Sequence, residues 1–248
     1  MINKRETIKQ NVESFNTDFV RRLNFETLGK NLLNCAEKHA NLRGFGVDNV
    51  SLRNHAWVLV RLSIELSEIP TMFDPYNITT WIERVYRMFT NRNFEITKDG
   101  HPIGYARSVW AIIDKTSREA IDLEGEYGLS IKSFIDNESP CPIKPFKRAQ
   151  LTNNTQQSTN YTHIVLSSDI DYNGHVNSMK YITFLLDGFD LDYHSTHTLK
   201  RIDIAYINES HFHDVLSIKR WAINSNEFYL EIRNQDNNVI VKSTIKFE

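Results

Sequence analysis

Hydrophobic and polar positions change period along this chain, and each change marks a different element. Leu28, Leu32, Leu33, Ala36 and Ala40 recur at three- and four-residue spacing. That is one apolar stripe on a helix over residues 26–42, which Gly44 and Gly46 bring to an end. Beyond it the period drops to two: Trp81, Glu83 and Val85 alternate with Thr80, Ile82 and Arg84. Strands are predicted over residues 57–69, 76–87, 88–98 and 103–115, with Lys98-Asp99-Gly100-His101 as the hairpin turn between the last two. A further strand is predicted ahead of the helix, over residues 15–24.

The second half repeats this order. A strand over residues 161–168 precedes a helix over 177–189, and strands over 198–207, 214–222, 227–234 and 239–247 follow. Phe94-Glu95-Ile96 has a counterpart in Leu230-Glu231-Ile232, and Ser108 in Thr244. Asp74 and Asp214 each open a strand that carries a tryptophan, Trp81 or Trp221. Between the halves lies a stretch rich in Pro, Asn, Gln and Thr, expected to be a surface linker. The domain reading is 1–138, linker 139–160, and 161–248. A long helix against antiparallel strands is an α+β unit. A helix wrapped by a bent antiparallel sheet, twice in tandem, is a double hotdog fold.

Composition narrows the function less than the pattern does. The 29 Lys+Arg against 31 Asp+Glu give a formal net charge of −2, which argues against a broad nucleic-acid surface. Uncharged apolar runs such as 56–60 and 109–113 fall far short of the roughly twenty residues a membrane-spanning helix needs. Residues 1–7 are charged, with no apolar core behind them, so a cytoplasmic location is expected. Cys35 and Cys141 match no metal or redox spacing and are expected to be free thiols.

The chemistry concentrates in Asp171-Tyr172-Asn173-Gly174-His175-Val176-Asn177. In extended backbone Asp171, Asn173 and His175 would face one side. Gly174 would take a positive φ to turn the chain into the following helix. The first amides of that helix, from Val176 and Asn177 onward, are candidate oxyanion donors. The bland alternative is a turn in which the Asp and Asn side chains merely cap amides. The first half has Arg21 to Phe25 before its helix, so one active site per chain is expected. His211, His213, His194 and His197 invite a metal reading, but no Cys or carboxylate pattern supports one. Arg84, Arg87, Arg92 and Arg107 read as solvated strand faces.

Several segments together resemble the plant-type fatty acyl-acyl carrier protein (acyl-ACP) thioesterases and their bacterial relatives. They are Trp57-Val58-Leu59-Val60-Arg61, Ile69-Pro70-Thr71, Thr80-Trp81-Ile82 and Ala106-Arg107-Ser108-Val109-Trp110, followed by the Asp171 to Asn177 motif with Lys180-Tyr181. Tyr206-Ile207-Asn208-Glu209-Ser210 resembles the family segment that ends in Glu-Cys, with Ser210 at the cysteine position. The resemblance implies a thioester hydrolase that frees fatty acid from its carrier and ends fatty acid synthesis. It implies Asp171, Asn173, His175 and Glu209 as the catalytic set, Ser210 as a candidate nucleophile, and no cofactor or metal. Glu209 and Asp171 would activate water while His175 and Asn173 polarise the carbonyl; alternatively Asp171 attacks to form an acyl anhydride. The acyl tail would lie against the inner face of the first half. The acidic carrier would meet basic residues such as Lys144, Lys147, Arg148, Lys200 and Arg201. An acyl-coenzyme A thioesterase and a catalytically silent acyl-binding module are the alternatives, and a homodimer is a further expected partner.

Overall fold

The apolar stripe of the first half is the buried side of α1 (Phe25–Asn41), where Leu28, Leu32, Cys35, Ala36 and Ala40 are all buried. The Asn24 carboxamide accepts the Thr27 N–H at 2.7 Å and starts the helix. These features belong to a computed structural model that describes residues 3–146 and 157–248. The chain divides into two units, Met1–Pro145 and Phe146–Glu248.

In the first unit five antiparallel strands run β1 (Arg5–Asn11), β3 (Pro75–Val85), β4 (Thr90–Lys98), β5 (His101–Asp114) and β2 (His55–Leu66), in that order across the sheet. α1 packs on β1 and β3. Three short helices, α2 (Val47–Ser51), α3 (Leu123–Glu126) and α4 (Gly128–Lys132), complete the unit. Phe45, Val50, Ile82, Ile112, Leu123 and Ile131 pack with Ala40 at the end of α1. The Trp57 indole N–H donates to the Phe45 carbonyl at 2.8 Å. The β4–β5 hairpin has positive φ at both Asp99 (51°) and Gly100 (80°), as a two-residue type I′ turn requires. A Cβ on Gly100 would meet nothing within 4 Å. Gly100→Val should therefore cost about 1–2 kcal/mol from backbone strain alone, read as a lowered urea midpoint at constant slope.

The strand expected over residues 15–24 is not one. Ser14–Asn16 form a single 3₁₀ turn, after which the chain folds back on itself through a Thr17–Leu23 bridge. The Asp18 carboxylate accepts the Val20 and Arg22 amides, and Arg21 takes φ 68°, so these residues are bent where a strand would be straight. The true edge strand, β1, reads Arg-Glu-Thr-Ile-Lys-Gln-Asn and buries only Ile8, which leaves no alternation to detect. Arg92 also departs from expectation. It is 6 % exposed on the inner side of β4 and donates to the Thr80 hydroxyl.

The second unit runs β7 (Leu199–Tyr206), β10 (Val239–Phe247), β9 (Glu227–Arg233), β8 (Val215–Ala222) and β6 (Gln157–Ile164). Read from β6 to β7, this is the first unit's order again. The partner register adjusts one detail of the duplication. Phe94 faces Ala106 whereas Leu230 faces Ser243, which puts Ile245 rather than Thr244 opposite Ser108 in the repeat. The helix is shorter than expected: α5 covers Lys180–Leu186, and a separate α6 (Leu191–Thr196) follows, capped by Asp190. α5 buries Tyr181, Ile182, Phe184 and Leu185. Its Phe184 ring lies 4.0 Å, centroid to centroid, from that of His163 of β6, tilted by 31°. β6 begins inside the stretch expected as linker; Lys147 and Arg148 lie outside the described residues. Each unit is thus a helix set in a five-stranded antiparallel sheet, the tandem hotdog arrangement. No helix among the described residues is long and apolar enough to cross a membrane.

Candidate active site

The Asp171 to His175 loop follows a 3₁₀ turn at Ser167–Asp169 and leads to α5. It is a tight turn and not extended backbone. The Asp171 N–H donates to the His175 carbonyl at 2.8 Å, and the Gly174 N–H to the Asp171 carbonyl at 3.0 Å. Asp171 Oδ1 accepts the Asn173 N–H at 2.8 Å, an Asx turn. Alternation along a strand therefore does not explain which side chains converge. Gly174 does take the expected positive φ, 82°.

Convergence comes from a long-range contact. The Val176 N–H donates to the Ser210 carbonyl at 2.9 Å, tying the loop to the segment that follows β7. That bond sets His175 Nε2 3.3 Å from Glu209 Oε2. Both side chains stay partly open to solvent, 26 % and 36 % exposed. The His211 ring lies edge-on to His175 with centroids 4.9 Å apart, and the His211 backbone N–H donates to the Asp214 carboxylate at 2.8 Å. Asn173 is exposed and Asp171 half-buried on the same turn.

Two expectations fail on hydrogen-bond accounting. The Val176 amide is taken by the Ser210 carbonyl and the Asn177 amide by the Asp169 carbonyl at 2.8 Å, so neither is open to an oxyanion. Ser210 is fully buried beside Tyr181, whose hydroxyl burial holds protonated well above the ordinary phenol range. A serine sealed against a neutral phenol has no base to activate it. Neither cysteine replaces it: Cys35 and Cys141 are buried in the first unit, and burial pushes the Cys35 thiol up to about 12. Ser210→Ala should accordingly keep kcat within about twofold of wild type in a thiol-release assay.

The first half repeats this loop bond for bond. Asp18 N–H donates to Arg22 O, Arg21 N–H to Asp18 O, Leu23 N–H to Pro70 O and Asn24 N–H to Asn16 O. The equivalent residues are Asp18-Phe19-Val20-Arg21-Arg22-Leu23-Asn24. Val20 stands for Asn173, Arg22 for His175 and Ile69 for Glu209. The backbone scaffold is duplicated and these side chains are not. Among the described residues no group of three or more His, Cys, Asp or Glu could hold a metal, and His213 stacks on Phe212 with φ 70°.

Residues 5–130 match the family described as acyl-ACP thioesterase N-terminal domain, and residues 152–248 match its C-terminal domain. The chain belongs to the acyl-ACP thioesterase family. A solved acyl-ACP thioesterase from Bacteroides thetaiotaomicron is 41 % identical, with TM-score 0.90 over 99 % of this chain and 98 % of that one. The 12:0-ACP thioesterase from Umbellularia californica, 15 % identical, shares the fold at TM-score 0.88 over 100 % of this chain and 98 % of that one. Oleoyl-acyl carrier protein thioesterase 2 of Arabidopsis thaliana is 27 % identical over 225 residues, 83 % of this chain and 59 % of the relative. The chain spans about half the length of the first plant relatives it matches. All of Asp171, Asn173, His175 and Glu209 fall within the C-terminal domain match.

Proposed function

We propose that this chain hydrolyses the thioester of a fatty acyl-acyl carrier protein, releasing free fatty acid and the carrier thiol and so ending chain synthesis. The observation that carries the reading is the His175–Glu209 pair, held at 3.3 Å on the loop that the family match covers. Glu209 orients the imidazole, and the pair acts as one acid–base unit. Water lying against it loses a proton as its oxygen bonds to the thioester carbonyl carbon. The tetrahedral intermediate then expels the thiolate, which takes that proton. Asn173 supplies a carboxamide donor for the oxyanion in place of the occupied amides. Asp171 holds the turn and provides the second carboxylate.

A cytoplasmic setting belongs to the same reading, as does selection of the acyl tail by the first unit, whose α1 stripe faces β1 and β3. Of the basic residues suggested for carrier docking, Lys200 pairs with Glu248 and Arg201 with Asp203, which lowers their value as free charges. Lys144 is exposed. The deciding experiment presents one acyl group on carrier protein and on coenzyme A and compares kcat/KM by thiol release. A clear preference for the carrier supports the proposal. Preference for coenzyme A redirects it to that thiol, and no release from either leaves only an acyl-binding module.

A further inference from the structure

Directly behind the catalytic loop lies a buried carboxylate with half-buried partners to which the mechanism above gives no part. Asp169 is 4 % exposed, yet its carboxylate meets three partners. Oδ2 accepts the Leu166 N–H at 3.0 Å and lies 2.8 Å from His163 Nε2, while Oδ1 lies 3.8 Å from Lys180 Nζ. Its backbone carbonyl accepts the Asn177 N–H that closes the loop, and the Asn177 carboxamide in turn accepts the Met179 N–H just ahead of α5. One residue thus joins strand β6 through His163, helix α5 through Lys180, and both ends of the Asp171 to Asn177 segment.

The duplicated half shows what the same backbone does without this cluster. Asn16 takes the place of Asp169, with the same bond from its carbonyl to the Asn24 N–H. Gln10 stands at the register position of His163: Gln10 pairs with Tyr76 and His163 with Leu216. Thr27 stands for Lys180 and Asn31 for Phe184. There the region is a cleft of about 410 Å³ whose lining includes Gln10, Asn16, Asn31 and Tyr76. In the second half the corresponding positions carry the tilted His163–Phe184 ring contact and the Asp169 bonds. The loop fold survives either way, so the cluster is not needed to form the turn. It is present only where the turn carries His175.

We infer that Asp169 is a positioning residue for the thioesterase reaction: through His163 and Lys180 it fixes the catalytic loop so that His175 meets Glu209. This rests on the proposed hydrolase reading. A buried carboxylate held by two hydrogen bonds and facing an ammonium at 3.8 Å has a well-defined position, because displacement weakens these charge-assisted contacts. A loop free to shift by about 1 Å loses on the order of 10²-fold in rate.

Asp169→Asn is the test, with Glu231→Gln as control, since Glu231 is an equally buried carboxylate bonded to Tyr229 and Arg233 in the same unit. Asp169→Asn should lower kcat about 10- to 100-fold with KM within about twofold. It should also speed amide exchange across residues 171–177 by mass spectrometry. Glu231→Gln should lower Tm comparably while keeping kcat within about twofold and the exchange of that loop unchanged. His163→Gln, the residue of the first half, should fall between. Unchanged loop exchange in Asp169→Asn, or an equal loss of kcat in Glu231→Gln, overturns the inference. If wild type releases no thiol while loop exchange still rises in Asp169→Asn, the positioning stands and the hydrolase reading falls.

Discussion

His175→Ala and Glu209→Gln should each lower kcat/KM by about 10²- to 10⁴-fold, the usual value of positioned acid–base assistance, and the double variant should lose little more than the worse single. The near absence of additivity is the informative part. Two groups that act independently multiply their losses, whereas a pair sharing one proton transfer is disabled by removing either member. The 3.3 Å separation of His175 Nε2 and Glu209 Oε2 places them in the second case. Neither substitution should unfold the protein. Both side chains are partly solvated, so no uncompensated charge is left in a core, and exposed ion pairs contribute only about 0–1 kcal/mol. Steady-state kinetics with carrier-bound acyl substrate, alongside thermal melts, would check this. Full multiplication of the two losses, or either single variant keeping more than about a tenth of wild-type kcat/KM, would remove the pair from the mechanism.

How far the sequence foretold this arrangement depends on how local each determinant is. The α1 stripe and the Asp99-Gly100 hairpin are written within a few residues, and both appear where the pattern places them. β1 is legible only from its partner. Its seven residues bury Ile8 alone, and pairing with β3 supplies what composition does not. The Asp18 loop was hidden for the opposite reason: apolar Phe15, Phe19 and Val20 imitate a strand, while Asp18 spends its carboxylate on the Val20 and Arg22 amides. In the second half Asp171, Asn173 and His175 of the proposed site stand together in the sequence, but their geometry is not legible there. The bond from Val176 to Ser210, which brings His175 to Glu209, joins segments far apart in the chain, and no spacing rule anticipates it. Asp169 escaped notice because its partners sit on a neighbouring strand and on the next helix.

Asp171→Asn should lower kcat by about 10²-fold or more while leaving the fold and the turn intact. An asparagine keeps an oxygen where Oδ1 accepts the Asn173 N–H at 2.8 Å, so the substitution removes charge and little else. That separates two roles the turn alone cannot. If Asp171 only caps, asparagine replaces it at almost no loss, as Asx turns accept either residue. Asp18 is the internal control, because it makes the same cap in the first half, pairs with Arg22, and has Arg22 and Ile69 at the positions of His175 and Glu209. Asp18→Asn should leave kcat unchanged at a stability cost of no more than about 1 kcal/mol. The remaining question is whether Asp171 attacks the carbonyl itself or assists the water. Attack bonds a carboxylate oxygen to the acyl carbon and expels the thiolate, leaving an anhydride that water then opens. If that water adds at the aspartyl carbonyl, its oxygen stays on Asp171; if it adds at the acyl carbonyl, the aspartate regains its own oxygen and only the fatty acid is labelled. A single turnover in ¹⁸O water, with mass analysis of the Asp171 peptide and of the product, therefore has a decisive positive outcome. Label in the peptide establishes the anhydride. Its absence, combined with failure of hydroxylamine to trap an Asp171 hydroxamate during turnover, leaves the water route through His175 and Glu209.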